Sequence, residues 1–147
     1  MKASSAAIEL IKRYESLSLV PYLCPAGKLT IGWGHVIRSG ETFEKVTKAE
    51  AEKILKKDVA IAETAVNELV RVDLHQEHFD ALVSFVFNAG ARNFKNSTML
   101  RKLNAGDYLG AGREFQKWVY SNHRKLNGLV ERRSEEEEMF LSLPWRS

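Results

Sequence analysis

Glu15, Cys24 and Thr30 stand nine and then six positions apart: a carboxyl, a thiol and a hydroxyl where a helical pattern meets a glycine-rich segment ending Leu29-Thr30-Ile31-Gly32-Trp33-Gly34-His35. A carboxyl can give or take a proton, and a thiol or hydroxyl can attack a carbon or orient water. One small cleft at that junction would gather all three. Taken singly, Glu15 reads as an exposed residue of a last helical turn, and Cys24 as a small buried hydrophobe after Leu23. A carboxylate is disfavoured at a helix C-terminus, where the backbone dipole presents its negative end. Ionising Glu15 there is costly, which suits a proton donor.

The first helix begins near Ser4 or Ser5 as N-cap, with Ile8, Ile11 and Tyr14 on one face and Lys12 and Arg13 on the other. Residues 17 to about 38 break that period. Pro21, Pro25-Ala26-Gly27 and Gly32-Trp33-Gly34 punctuate short apolar runs, predicting two or three short strands with a turn near Pro25 to Lys28. The glycines flanking Trp33 mark strand ends, or let a bulky ligand approach the backbone. Thr47-Lys48-Ala49-Glu50 has the form of a capping box, and Ala51, Ile54, Leu55, Val59, Ala62, Val66 and Leu69 continue from it as a long helix over about 48–70. Further helices are predicted over about 76–88, 97–104, 108–120 and 129–142, with Gly106 suited to a C-terminal cap and Asp107 to an N-cap. Ala81 to Phe87 is apolar nearly all round and reads as the central core helix.

A chain of 147 residues buries roughly two-thirds of its unfolded surface, so a core forms without disulfide or metal. The single cysteine fits folding in a reducing cytoplasm. Its 22 basic and 19 acidic residues leave a net charge of +3, which favours approach to an anionic polymer. Nucleic acid is disfavoured as that polymer, because Lys45, Lys48, Lys53, Lys56 and Lys57 interleave with Glu44, Glu50, Glu52 and Asp58 as on a solvated helix face. No segment approaches the roughly 18 apolar residues of a membrane span. The N-terminus meets Glu9 before a signal-peptide core can form. Synthesis in the cytoplasm without a signal peptide is the expectation, and no stable membrane insertion.

Three separated segments carry a family resemblance. Tyr14-Glu15-Ser16-Leu17 through Pro21-Tyr22 to Thr30-Ile31-Gly32-Trp33-Gly34-His35, then Phe79 to Gly90, then Gly128-Leu129-Val130-Glu131-Arg132-Arg133-Ser134-Glu135 resemble the phage-type lysozymes, T4-lysozyme-like endolysins of glycoside hydrolase family 24. The resemblance implies a mostly helical α+β fold of two lobes. In it a small β-containing lobe of about 15–60 and a helical lobe of about 70–147 plus the N-terminal helix are joined by the long helix, all within a single domain over 1–147. It implies hydrolysis of the β-1,4 bond between N-acetylmuramic acid and N-acetylglucosamine in bacterial peptidoglycan. No cofactor is implied, the chain is expected to be a monomer, and a separate membrane-permeabilising protein would release it to the wall. Glu15 becomes the acid, and Thr30 with its partner holds water. The family has an Asp where this chain has Cys24. As a thiolate Cys24 keeps the charge and could attack the sugar; as a neutral thiol it leaves Thr30 to position water. Alternatives are a lytic transglycosylase, or an inactive wall-binding protein of the same fold.

Five further residues are candidates for substrate binding on the same resemblance. His35 reads as cleft-adjacent and held by a carboxylate, with Asp73 as candidate partner. Phe87, Asn88 and Gly90 end the core helix, where an amide and a glycine could reach sugar substituents or simply cap the helix. Ser97 is an N-cap or first-turn residue whose family counterpart faces the cleft. Arg132 and Arg133 meet either the anionic stem peptide or Glu135 to Glu138. His75 and His78 are three apart, unlike the i, i+4 pair of a zinc helix, so no metal site is expected.

Overall fold

The computed structural model describes residues 1–142. Helix α1 (Ser5–Glu15) leads into strand β1 (Ser18–Leu23), which pairs antiparallel with β2 (Leu29–Gly32), and β2 with β3 (His35–Val36). The order β1-β2-β3 is the chain order, a meander in which each return is a short turn. The first turn falls where the prolines and glycine predict it: Cys24 N–H donates to Lys28 O at 2.9 Å and Gly27 N–H to Cys24 O at 2.8 Å.

Helix α2 (Lys48–Leu69) is the long one, and its capping box is present in full between Thr47 and Glu50. Its first half packs on the sheet, with Ala51 against Gly32, and its second half enters the helical core through Ala62, Ala65 and Val66. It therefore joins the two lobes. Helix α3 (Gln76–Ala89) is buried continuously from His78 to Val86, as its apolar circumference requires, and packs against α1, α2 and α7 (Asn127–Leu141). Phe85 at its centre meets Phe115 and Trp118 edge-on, each with ring centroids 5.5 Å apart.

Four local features depart from the sequence reading. Ser4 is the N-cap of α1, but its side chain makes no cap bond; its hydroxyl donates to Asp80 instead and pins α1 to α3. A short helix α4 (Ala91–Lys95) fills the gap before α5 (Thr98–Asn104). The helix expected over 108–120 ends sooner: α6 (Tyr108–Arg113) passes into a 3-10 turn, Glu114–Lys117. After it comes a two-stranded hairpin, β4 (Tyr120–Ser121) and β5 (Arg124–Lys125), whose turn holds Asn122 and His123 at φ 51° and 64°. These are the left-handed values that a tight primed hairpin turn asks of its two central residues. The predicted role of Asp107 holds, since its carboxylate accepts from Gly110 N–H at 2.8 Å.

His78 is 2% exposed between Tyr108 and Phe140, its Nδ1 accepting from His75 N–H at 3.1 Å. That bond requires the neutral ring's proton on Nε2. Burial, with a smaller contribution from His75 and an opposing one from Glu77, pushes the imidazole down to about 4. The unfolded chain takes up this proton at about pH 6.5, so the stability His78 contributes is full above that value and is lost as pH falls toward 4. His78→Phe is expected to flatten the acid side of a pH–stability curve by roughly 2–3 kcal/mol between those limits. Urea unfolding at pH 7 and pH 4.5 checks this; an unchanged slope rules it out.

Candidate functional site

The cross-strand pairs Tyr22–Thr30 and Thr30–Val36 align three side chains on one face of the sheet. That face forms one wall of a cleft of about 640 Å³, and Phe87, Asn88, Trp118 and Arg132 belong to the helical wall opposite. Glu15, Cys24 and Thr30 all line it, so the three residues singled out by type and spacing are brought to one cavity.

Glu15 is the last residue of α1, and the chain leaves it through Ser16 at φ 57°. Its carboxylate lies against the backbone of Gly34, which has φ +74°. A Cβ at Gly34 would sit 2.7 Å from Glu15 Cδ, so no other residue fits without displacing the carboxylate. The glycine after Trp33 thus makes room for Glu15 itself. Glu15 Oε2 accepts from Arg132 Nη1 at 2.7 Å, and the Arg132 side chain is only 3% exposed.

Arg132 and Arg133, on α7, are both almost wholly buried and share Glu136, whose side chain is 0% exposed. Arg133 Nη1 donates to Glu136 Oε1 at 2.7 Å, Arg132 Nε to Glu136 Oε2 at 3.3 Å, and the Ser84 hydroxyl to Glu136 Oε2 at 2.6 Å. Arg132 Nη2 also donates to Ser84 O at 3.2 Å, and Arg133 reaches Trp118 O and Asn88 Oδ1. Burial lowers the Arg133 guanidinium from its ordinary value and Glu136 opposes this, but a guanidinium stays charged at neutral pH. Of the four acidic residues considered as partners, Glu135 pairs with Arg13, Glu137 accepts from Gln116 and Glu138 is exposed, leaving Glu136 as the arginines' carboxylate on their own helix.

Cys24 follows β1 at the rim. Burial pushes its thiol up, but hydrogen bonds from the Lys28 backbone, the Thr30 hydroxyl and the Ala26 backbone together outweigh that and hold it below the ordinary value. Thr30 is 2% exposed, and its hydroxyl donates to Lys28 O at 2.9 Å. With its single proton on Lys28, Thr30 Oγ1 offers lone pairs toward Cys24; turned toward Cys24, the same proton stabilises a thiolate. Burial, then the nearby charges of Glu15 and Cys24, raises the Tyr22 phenol between them.

The other candidates divide. Phe87 and Asn88 line the cleft, although the Asn88 carbonyl oxygen is taken by Arg133. His35 and Gly90 line instead a smaller pocket of about 260 Å³ behind Gly34, Val36 and Phe87. The carboxylates at His35 are Asp58 at 2.7 Å on Nδ1 and Glu41 at 3.0 Å on Nε2, not Asp73. Asp73 lies in the α2–α3 link, where its carbonyl accepts from Tyr108, because α2 presents Asp58 to the sheet eleven residues before its own end. Ser97 is a helix cap: it accepts from Leu100 N–H at 3.0 Å and donates to Phe94 O at 2.7 Å, buried away from the cleft. Tyr22, Trp118 and Tyr120 line the cleft without having been singled out, and Gly34, one of the glycines flanking Trp33, lines it too. At its mouth Asn122, from the β4–β5 hairpin, reaches across to Pro25 O at 3.5 Å.

A two-lobed α+β body with a cleft between a small sheet and a helical lobe is the lysozyme-like fold. The chain belongs to the Phage lysozyme family, whose sequence profile matches residues 12–136. It is 41% identical over 146 residues to an endolysin of Acyrthosiphon pisum secondary endosymbiont phage 1, covering 97% of this chain and 99% of that one. Its fold is similar to that of the endolysin from Escherichia coli O157:H7 phage FAHEc1, with TM-score 0.85 and 34% identity over 97% of this chain and 96% of the other. It is also similar to the muramidase domain of SpmX from Asticaccaulis excentricus, with TM-score 0.84 and 38% identity over 95% and 97%. The chain is thus a peptidoglycan hydrolase of the endolysin type. Among the described residues no helix is long and apolar enough to cross a membrane.

Two expectations follow from this geometry. Gly34→Ala forces a left-handed backbone on a residue with a Cβ, at roughly 1–2 kcal/mol, and displaces the Glu15 carboxylate. Wall-clearing activity is expected to fall at least tenfold, since misplacement of about 1 Å can cost that much or more, while circular dichroism stays native. The second concerns Cys24, whose reaction with iodoacetamide is expected to have its pH midpoint below that of a free cysteine, and Thr30→Val to raise it. A midpoint at or above the free value contradicts a thiol held below its ordinary value.

Proposed function

We propose that this protein hydrolyses the β-1,4 bond between N-acetylmuramic acid and N-acetylglucosamine in bacterial peptidoglycan, and so lyses its host cell. The observation that carries the reading is the shared cleft: a carboxyl held against Gly34 on one side, and Cys24 with Thr30 along the sheet wall. Glycoside hydrolysis needs a proton for the leaving oxygen and a second group to activate or replace water at the anomeric carbon.

In this reading Glu15 gives its proton to the glycosidic oxygen as the C–O bond breaks. Water held by Thr30 adds to the anomeric carbon and passes its proton to the Cys24 thiolate, whose charge also steadies the oxocarbenium-like centre. Cys24 so takes the part that an aspartate has in the resembled family, at a position where its neighbours favour the anion. Phe87 and Asn88 are proposed to contact the sugars. His35, bound by Asp58 and Glu41, is proposed to fix β3 to α2 and so the cleft's width.

Glu15→Gln removes the proton and keeps the shape, so wall clearance is expected to fall by at least about 10²-fold while circular dichroism stays native. Mass analysis of the wild-type products is expected to show reducing muramic acid ends. Anhydromuramic ends would mean a transglycosylase, and an absence of soluble fragments a binding protein.

A further inference from the structure

We propose that Glu136 is a positioning residue for the reaction, a buried counter-charge that aims Arg132 at Glu15 and offsets the hold of the two arginines on that carboxylate. The inference rests on the reading of Glu15 as the acid. Glu136 touches no substrate-facing space and acts wholly through the arginines beside it.

The geometry supplies the first half of the argument. Arg132 is gripped on its inner side by Glu136 Oε2 at 3.3 Å and by Ser84 O at 3.2 Å, and it presents Nη1 to Glu15 at 2.7 Å. A guanidinium is a rigid plane, so fixing the Nε and Nη2 corners fixes where the third corner points. The Glu15 carboxylate is thus located by Gly34 from one side and, through Arg132, by Glu136 from the other.

Charge balance supplies the second half. Glu15, Glu136, Arg132 and Arg133 sum to zero only while Glu15 is ionised, and to +1 when it holds the proton that acid catalysis requires. Were Glu136 neutral, the two states would carry +1 and +2, and two desolvated guanidiniums would act on Glu15 with nothing to offset them. Glu136 therefore limits how strongly the arginines favour the ionised carboxylate. The other groups facing Glu15 are Tyr22 on β1 and Cys24 at its end, with Tyr14 beside it on α1; Glu136 meets Ser84 of α3 and the two arginines of its own helix.

The test follows the Glu15 carboxyl carbon by 13C NMR through a pH titration, in the wild type and in Glu136→Gln, Arg133→Gln and the double variant, alongside kcat on soluble peptidoglycan fragments. Glu136→Gln is expected to move the Glu15 midpoint, and with it the alkaline limb of kcat, down by roughly half a pH unit or more, with kcat at neutral pH reduced at least threefold and KM little changed. Arg133→Gln is expected to move both up. The double variant, neutral again, should return them toward wild type. Loss of activity with no movement of the Glu15 midpoint overturns the proposal, as does movement in the same direction by both single variants. If Glu136→Gln does not fold, Arg133→Gln decides alone, and an unmoved midpoint there overturns it. Displaced midpoints in a chain whose wild type cleaves no glycan overturn the reading of Glu15 as a glycosidic acid and leave the charge coupling standing.

Discussion

Two guanidiniums and a carboxylate are buried together where α1, α3 and α7 meet, and the rest of the molecule is arranged around that fact. Removing such groups from water is expensive, and their mutual attraction offsets the cost only when geometry and remaining hydrogen bonds are good. Here Ser84, Trp118 O and Asn88 take up the remaining donors and acceptors. The i+3 and i+4 spacing of Arg133 and Arg132 to Glu136 lets one turn of α7 supply both cations and their anion. Ser84 belongs to α3, so the network also ties the central helix to the last one, and Glu15 extends it to the first.

Against this rigid polar centre the small lobe is built from a meander with little core of its own. Ile31 and Trp33 face α2, while Thr30 and Tyr22 face the cleft. The sheet is held to the helical lobe through α2: Asp58 binds His35, and Ala51 packs on Gly32. Glu41, drawn below its ordinary range by Arg38 N–H and His35, closes the loop beyond β3 onto the same histidine. The reactive groups thus come from both sides of a junction, and their separation depends on these few contacts.

Much of this was legible from residue order. The capping box at Thr47, the all-round apolar run of α3 and the turn at Pro25 are local signals, and local physics decided them. Glu15, Cys24 and Thr30 could be grouped because all three lie beside a single break in the helical period. What could not be read was tertiary. Asp58 lies midway along the long helix and Asp73 just beyond its end, and only the packing of α2 on the sheet selects the first. Ser97 is an N-cap by every local rule, and its burial beneath Phe94 is what removes it from the cleft. Arg132 and Arg133 resemble surface charges in a run of glutamates; the 3.6-residue period that carries one glutamate inward with them becomes apparent only once Ser84 is seen opposite.

The contact of Asn122 with Pro25 bears on how a long polymer gets in. Helix α2 connects the lobes along one side, and at the mouth this neutral hydrogen bond spans them. Such a bond is worth about 1 kcal/mol and at 3.5 Å is stretched to its limit. A contact that weak holds the hairpin over the turn at Pro25 like a door without a strong latch, and parting it opens the cleft from the side.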